Sequence, residues 1–185
     1  MEQYRLLPQN IYNMDEKGFC IGQIGKMKRV FSKKAYERGF LKGAGVDSAR
    51  TWVTVLASVS MVGVVLPPTI IFEAQTTSIQ DTWLQDFDAE KHNCAFASLP
   101  SGWTNNEIGF RWLIEVFDKR TKITAQKGRD MRLLIINSYG SHVDKAFLEY
   151  CDAHRILVAV FPPHLTHQLQ PLDVSLFSPL ATYYS

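Results

Sequence analysis

Apolar residues change their rhythm along this chain, and the change divides it into two kinds of structure. Asn10 to Met14 is a short run that opens toward Asp15 and predicts a strand. Trp52 to Ser60 has the β-branched enrichment of a strand, and Val64 to Phe72 returns as its partner across Met61-Val62-Gly63. Pro67 and Pro68 fall inside that return, which places them at an edge or a bulge, because proline cannot donate to a ladder. Asp81 to Phe87 predicts a helical turn, and Cys94 to Ala97 a short extended piece. The period then shifts. Thr104 reads as an N-cap with Glu107 closing a capping box, and the apolar positions from Ile108 to Phe117 predict a helix to about Lys119. Arg132 to Ile136 is a short apolar strand of the kind covered on both faces. Val143 to Ala153 predicts a helix, with Phe147 and Cys151 four apart, and Ile156 to Phe161 another buried strand stopped by Pro162-Pro163. Ser178-Pro179 reads as an N-cap and first helical residue, which leaves the last helix truncated at the C-terminus.

Strand, helix, strand implies a parallel crossover. Antiparallel strands followed by such a unit make an α/β fold with one mixed sheet flanked by helices. At 185 residues, with 46% hydrophobic and 21% charged, the chain suits a single domain over 1–185. Thr51 to Phe72 carries no charge and is about as long as a membrane span. Its prolines, its glycine and its Val and Ile content favour a buried hairpin. Three widely spaced cysteines without a CxxC pair disfavour both a disulfide framework and a zinc site. The amino-terminal residues contain no signal-peptide run.

A net charge of +2 implies no polyanionic partner by itself, but the distribution is uneven. Lys26, Lys28, Arg29, Lys33, Lys34, Arg38 and Lys42 face a single acid, Glu37, within one segment. Such a segment is a solvated face or a phosphate-contacting one, and in the second case its binding is salt-sensitive. Lys119, Arg120, Lys122, Lys127, Arg129 and Arg132 form a second basic group.

Three segments carry the candidate chemistry: Asn10-Ile11-Tyr12-Asn13-Met14-Asp15-Glu16, Leu134-Ile135-Ile136-Asn137-Ser138-Tyr139-Gly140-Ser141-His142, and Pro162-Pro163-His164-Leu165-Thr166-His167-Gln168-Leu169-Gln170-Pro171-Leu172-Asp173. Together they resemble the catalytic core of pogo/Tigger-type (Tc/mariner-like) transposases, in the DDE superfamily of endonucleases. Gly102-Trp103-Thr104-Asn105-Asn106-Glu107 is similar to the family's sequence before its first long helix. The resemblance implies a ribonuclease H-like fold, DNA as partner and no small-molecule substrate. It also implies magnesium or manganese as cofactor and residence in the nucleus, without a membrane role, and it is compatible with a homo-oligomer.

In that family three carboxylates hold divalent ions, at positions matching Asp15, Asn137 and Asp173; 35 residues separate the last two. Acids at the ends of neighbouring strands suit in-line displacement at phosphorus, where two ions about 4 Å apart activate one oxygen and stabilise another. The middle position is an amide here. Asparagine keeps one ligating oxygen but loses the charge that makes two close cations tolerable, so the expectation is a dead or severely impaired site. Asp15 and Asp173 are the expected metal ligands and Asn137 the degenerate one. Glu16 points to the opposite face in a strand and reads as structural. His164 and His167, three apart on a Pro-rich loop, read as substrate-facing rather than zinc ligands. Ser141-His142 reads as shaping the turn beside position 137, with His142 among the residues facing nucleic acid. The helix-turn-helix modules that usually precede this core are expected to be missing. The alternative to an impaired endonuclease is a domesticated, non-enzymatic DNA- or protein-binding module.

Overall fold

The β-branched and aromatic runs pair into one six-stranded sheet. The computed structural model describes residues 4–21, 51–75, 79, 84–85, 87–88, 90–137, 143–162 and 170–184. The strands are β1 (Ile11–Ile21), β2 (Thr51–Ser60), β3 (Thr69–Glu73), β4 (Ala95–Leu99), β5 (Arg132–Ile136) and β6 (Ile156–Val160). Their spatial order is β4-β3-β2-β1-β5-β6. β1, β2 and β3 run antiparallel in turn, while β4 pairs parallel to β3, and β5 and β6 continue parallel from β1. This is the single mixed α/β sheet that the sequence resemblance implies.

Helix α1 (Asn106–Trp112) passes through a π-helical stretch (Leu113–Asp118) into α2 (Lys119–Thr124), so the helical run extends beyond the expected end at Lys119. Helix α3 (Lys145–Ala153) connects β5 to β6 and is capped by Asp144, whose side chain accepts from the Phe147 N–H. A π-helical turn (Asp173–Phe177) leads into α4 (Ser178–Tyr184). Ser178 is therefore inside a helical run rather than at its N-cap. Pro179 sits just past the π turn, where the widened spacing is already out of step with the ladder that proline would break.

Two further expectations are corrected. The helix N-cap is Asn105, which accepts from the Ile108 N–H at 2.9 Å, and not Thr104. The Thr104 hydroxyl is drawn away to donate to the Glu16 carboxylate on β1. The return strand is also split. Val65 bridges Val59 and Thr69 pairs with Leu56, so three steps on β2 face four on the return. That extra residue is a bulge, and Pro67-Pro68 occupy it.

One face of the sheet buries Tyr12, Met14, Leu56, Leu134 and Ile136 against Trp112, Leu113, Phe117, Phe147 and Cys151. The other buries Ala57 against Leu172 and Phe177, with Val55, Val59, Leu176 and Leu180 around them. The second basic group is not wholly a surface: Arg132 is fully buried. Its guanidinium donates to Asp118 at 2.7 Å, to the Thr121 hydroxyl at 3.0 Å and to the His154 carbonyl at 2.6 Å. The Tyr150 hydroxyl donates to the other Asp118 oxygen at 3.1 Å. This network fastens the start of β5 to α2 and α3.

Candidate active site

Sequence alternation along β1 puts Asn13, Asp15 and Lys17 on one face, opposite Tyr12, Met14 and Glu16. The parallel pairing of β1 with β5 runs from Ile11↔Leu133 to Asn13↔Ile135. Extending that register by two residues sets Asp15 beside Asn137, just past the end of β5. The contact is made: the Asn137 amide donates to the Asp15 carboxylate, Nδ2 to Oδ1, at 2.8 Å. Asp15 does not end its strand, as the sequence suggested, because β1 continues to Ile21 along β2. What ends near it is the β5 partner.

The third position arrives from the far end of the chain. Gln170 is buried and donates through Nε2 to the Met14 carbonyl at 3.4 Å, and Leu172 packs into the core beside Ala57. These anchors bring Asp173, the first residue of the π turn, close enough for its charge to be felt at Asp15. Asp173 also pairs with Lys17, Nζ to Oδ1, at 3.6 Å. The structure therefore puts Asn137 in contact with Asp15, and Asp173 in contact with Lys17 two residues along the same face of β1.

Asp15 is buried, and burial pushes its carboxyl up to about 7. The Glu16 backbone N–H holds it down, the Asp173 and Glu16 charges raise it, and the Lys17 ammonium lowers it. The Asn137 amide also favours the ionised form, since it donates to the carboxylate. Each acid thus has a donor from the chain itself: an amide for Asp15 and an ammonium for Asp173.

That donor set does not fit two divalent ions. Position 137 offers one neutral oxygen at most, and here it turns its N–H toward Asp15. Lys17 places a positive charge beside Asp173. Among the described residues no group of three or more His, Cys, Asp or Glu side chains is placed to hold a metal ion.

Lys17 and Gln170 were not singled out by sequence reasoning. Lys17 had a signal, since it lies two residues from Asp15 on the same strand face. Gln170 lies within the Leu-Gln-Pro-Leu-Asp motif, but its partner is 156 positions away and depends on the fold. Lys26, Lys28, Arg29, Lys33, Lys34, His142, His164 and His167 lie outside the described residues.

The DDE superfamily endonuclease family matches residues 49–185. A protein of Cochliobolus lunatus described as the MFS-type transporter clz9 is 35% identical over 183 residues, covering 99% of this chain and 19% of that protein. The human "Pogo transposable element with ZNF domain" is 26% identical over 129 residues, covering 70% of this chain and 8% of that protein. The chain thus spans a small part of the length of either relative. Among the described residues no helix is long and apolar enough to cross a membrane. No solved structure matches. A family match over most of its length, with kinship to a pogo element, makes this chain a member of the DDE superfamily of endonucleases, of the pogo transposase type.

Proposed function

We propose that this chain is a transposase-derived nuclease core that binds DNA in the nucleus and whose strand-cleaving site is silenced by Asn137. Endonucleases of this superfamily generally depend on divalent metal. In this chain Asp15 and Asp173 are the remaining acids of the site, and magnesium or manganese is the ion that the ancestral set accepted. The observation that carries the reading is the 2.8 Å hydrogen bond from the Asn137 amide to Asp15, made where a third carboxylate is expected. The loss of one anionic ligand costs several kcal/mol of transition-state stabilisation, and each ~1.4 kcal/mol is about tenfold in rate. The segment with Lys26, Lys28, Arg29, Lys33 and Lys34 adds salt-sensitive phosphate contacts, with His142, His164 and His167 facing the same DNA. Self-association of the chain belongs to the same reading.

Nicking of supercoiled plasmid in manganese tests it, with the unmodified chain and Asn137→Asp in parallel. Cutting by Asn137→Asp alone is the expected result. Nicking by the unmodified chain that Asp15→Ala abolishes would refute the silencing.

A second reading, a non-enzymatic binding module, is favoured by one observation. The ion pair between Lys17 and Asp173 and the amide on Asp15 give both acids a partner from the chain without a metal ion. DNA or protein binding that persists in EDTA and in Asp15→Ala would favour it.

A further inference from the structure

The three parallel strands β1, β5 and β6 lie side by side, and all start at the end of the sheet away from Asp15. Arginine precedes each one there. Arg5 lies upstream of β1, Arg129 upstream of β5, and Arg155 immediately before β6. With Tyr4, Asp130 and Met131 they line a single open cleft of about 350 Å³. All three arginines are exposed. None has an ion-pair partner among the described residues. One acid, Asp130, shares the cleft with the three guanidinium groups, so its net charge is positive.

The backbone fixes two of these arginines in place. Among the described residues the non-glycine positions with positive φ are Arg5 (47°), Gln126 (49°), Lys127 (61°) and Arg155 (59°). All four belong to the segments that lead into these strands, and two of them are cleft arginines. Arg155 follows the His154 cap of α3, at the left-handed position where glycine is favoured. A side chain there costs backbone strain that glycine would not, so the arginine is held at that corner by the helix end.

We infer that this cleft is a second contact for the phosphodiester backbone of DNA, separate from the Asp15 end. A guanidinium fork matches a phosphate with two parallel hydrogen bonds. Exposed arginines in an open cleft gain little from one small anion in water. A polyanion adds the release of its condensed counterions, which favours an extended backbone over a free phosphate ion. Five residues of β5 separate the two ends of the sheet, roughly 17 Å at about 3.3 Å per residue. Phosphates held by the arginines are therefore different from those beside Asp15. The inference rests on the DNA-binding reading above.

Anisotropy of a short fluorescent DNA duplex, titrated over a range of salt, tests it with the wild-type chain and an Arg129→Ala, Arg155→Gly double variant. The double variant is expected to bind about tenfold more weakly, with a log K against log salt slope shallower by about 2. Its melting temperature is expected to stay the same or rise, because glycine relaxes position 155. Wild-type binding that the double variant reproduces overturns the cleft and leaves the DNA reading standing. No binding by the wild type overturns both. Displacement of the duplex by polyglutamate as effectively as by DNA of equal charge overturns the choice of nucleic acid. Asp130→Asn reads the opposite sign without depending on the double variant: tighter binding supports the cleft, and unchanged binding overturns it.

Discussion

Asparagine and aspartate have almost the same shape, so position 137 tests charge with little change of packing. Asn137 donates to Asp15 at 2.8 Å. In Asn137→Asp that donor becomes an acceptor, and two carboxylates meet at hydrogen-bond distance. A like charge that moves the pair by one to two pKa units costs about 1.4–2.8 kcal/mol at a pH where both would ionise. Asn137→Asp is therefore expected to melt at a lower temperature than wild type at pH 8 in EDTA, and manganese is expected to recover the difference. Differential scanning fluorimetry with and without the ion measures both arms. An equal melting temperature in EDTA would mean that Asp15 and position 137 do not share a site. The same residues show what could be read in advance. Asp15, Asn137 and Asp173 were legible because their flanking motifs are distinctive. The pairing of Lys17 with Asp173 was not, because it joins residues 156 positions apart in sequence, and only the docking of the final helical run brings them together.

At the scale of elements, β5, α3 and β6 were legible almost to the residue, since apolar runs, a four-residue periodicity and Pro162 bound them sharply. The length of β1 was not. Glu16, Lys17 and Gly18 interrupt its apolar pattern, and its second half is held mainly by the ladder with β2 rather than by full burial. Capping failed for a related reason. Thr104 and Asn105 can both cap, and the choice is made by Glu16, 88 positions away. Gly18 shows how closely that half of β1 is packed. A β-carbon there would come within 2.2 Å of the Trp52 ring, which rests 5.1 Å from Trp103. Gly18→Ala is expected to destabilise by about 1–3 kcal/mol through displacement of the indole. Chemical denaturation checks the loss, and Trp fluorescence reports the ring.

For the whole molecule, the buried acid makes stability depend on pH. The folded-state pKa of Asp15 is raised, from 3.8 to about 7. Below about pH 4 both folded and unfolded chains hold that proton, and no penalty applies. Between about 4 and 7 the unfolded chain releases it first, so stability falls as pH rises, by up to about 1.4 kcal/mol per pH unit. Above about 7 this contribution is level. Denaturant midpoints across that window, compared with Asp15→Asn, isolate it: the variant is expected to lack the decline. A decline of equal size in Asp15→Asn would assign it to other groups.

β1 forks after Asn13. Up to that residue it pairs with β2 on one side and β5 on the other, and beyond it β2 is the only strand it pairs with among the described residues. Asp15 is the first residue of its face past the fork, so it rides with the antiparallel half of the sheet, while Asn137 rides with the parallel half. Their 2.8 Å contact is thus a latch across a seam. Any ligand or partner that splays the two halves opens the latch before it disturbs either strand, and a carboxylate at 137 would turn the same latch into a spring.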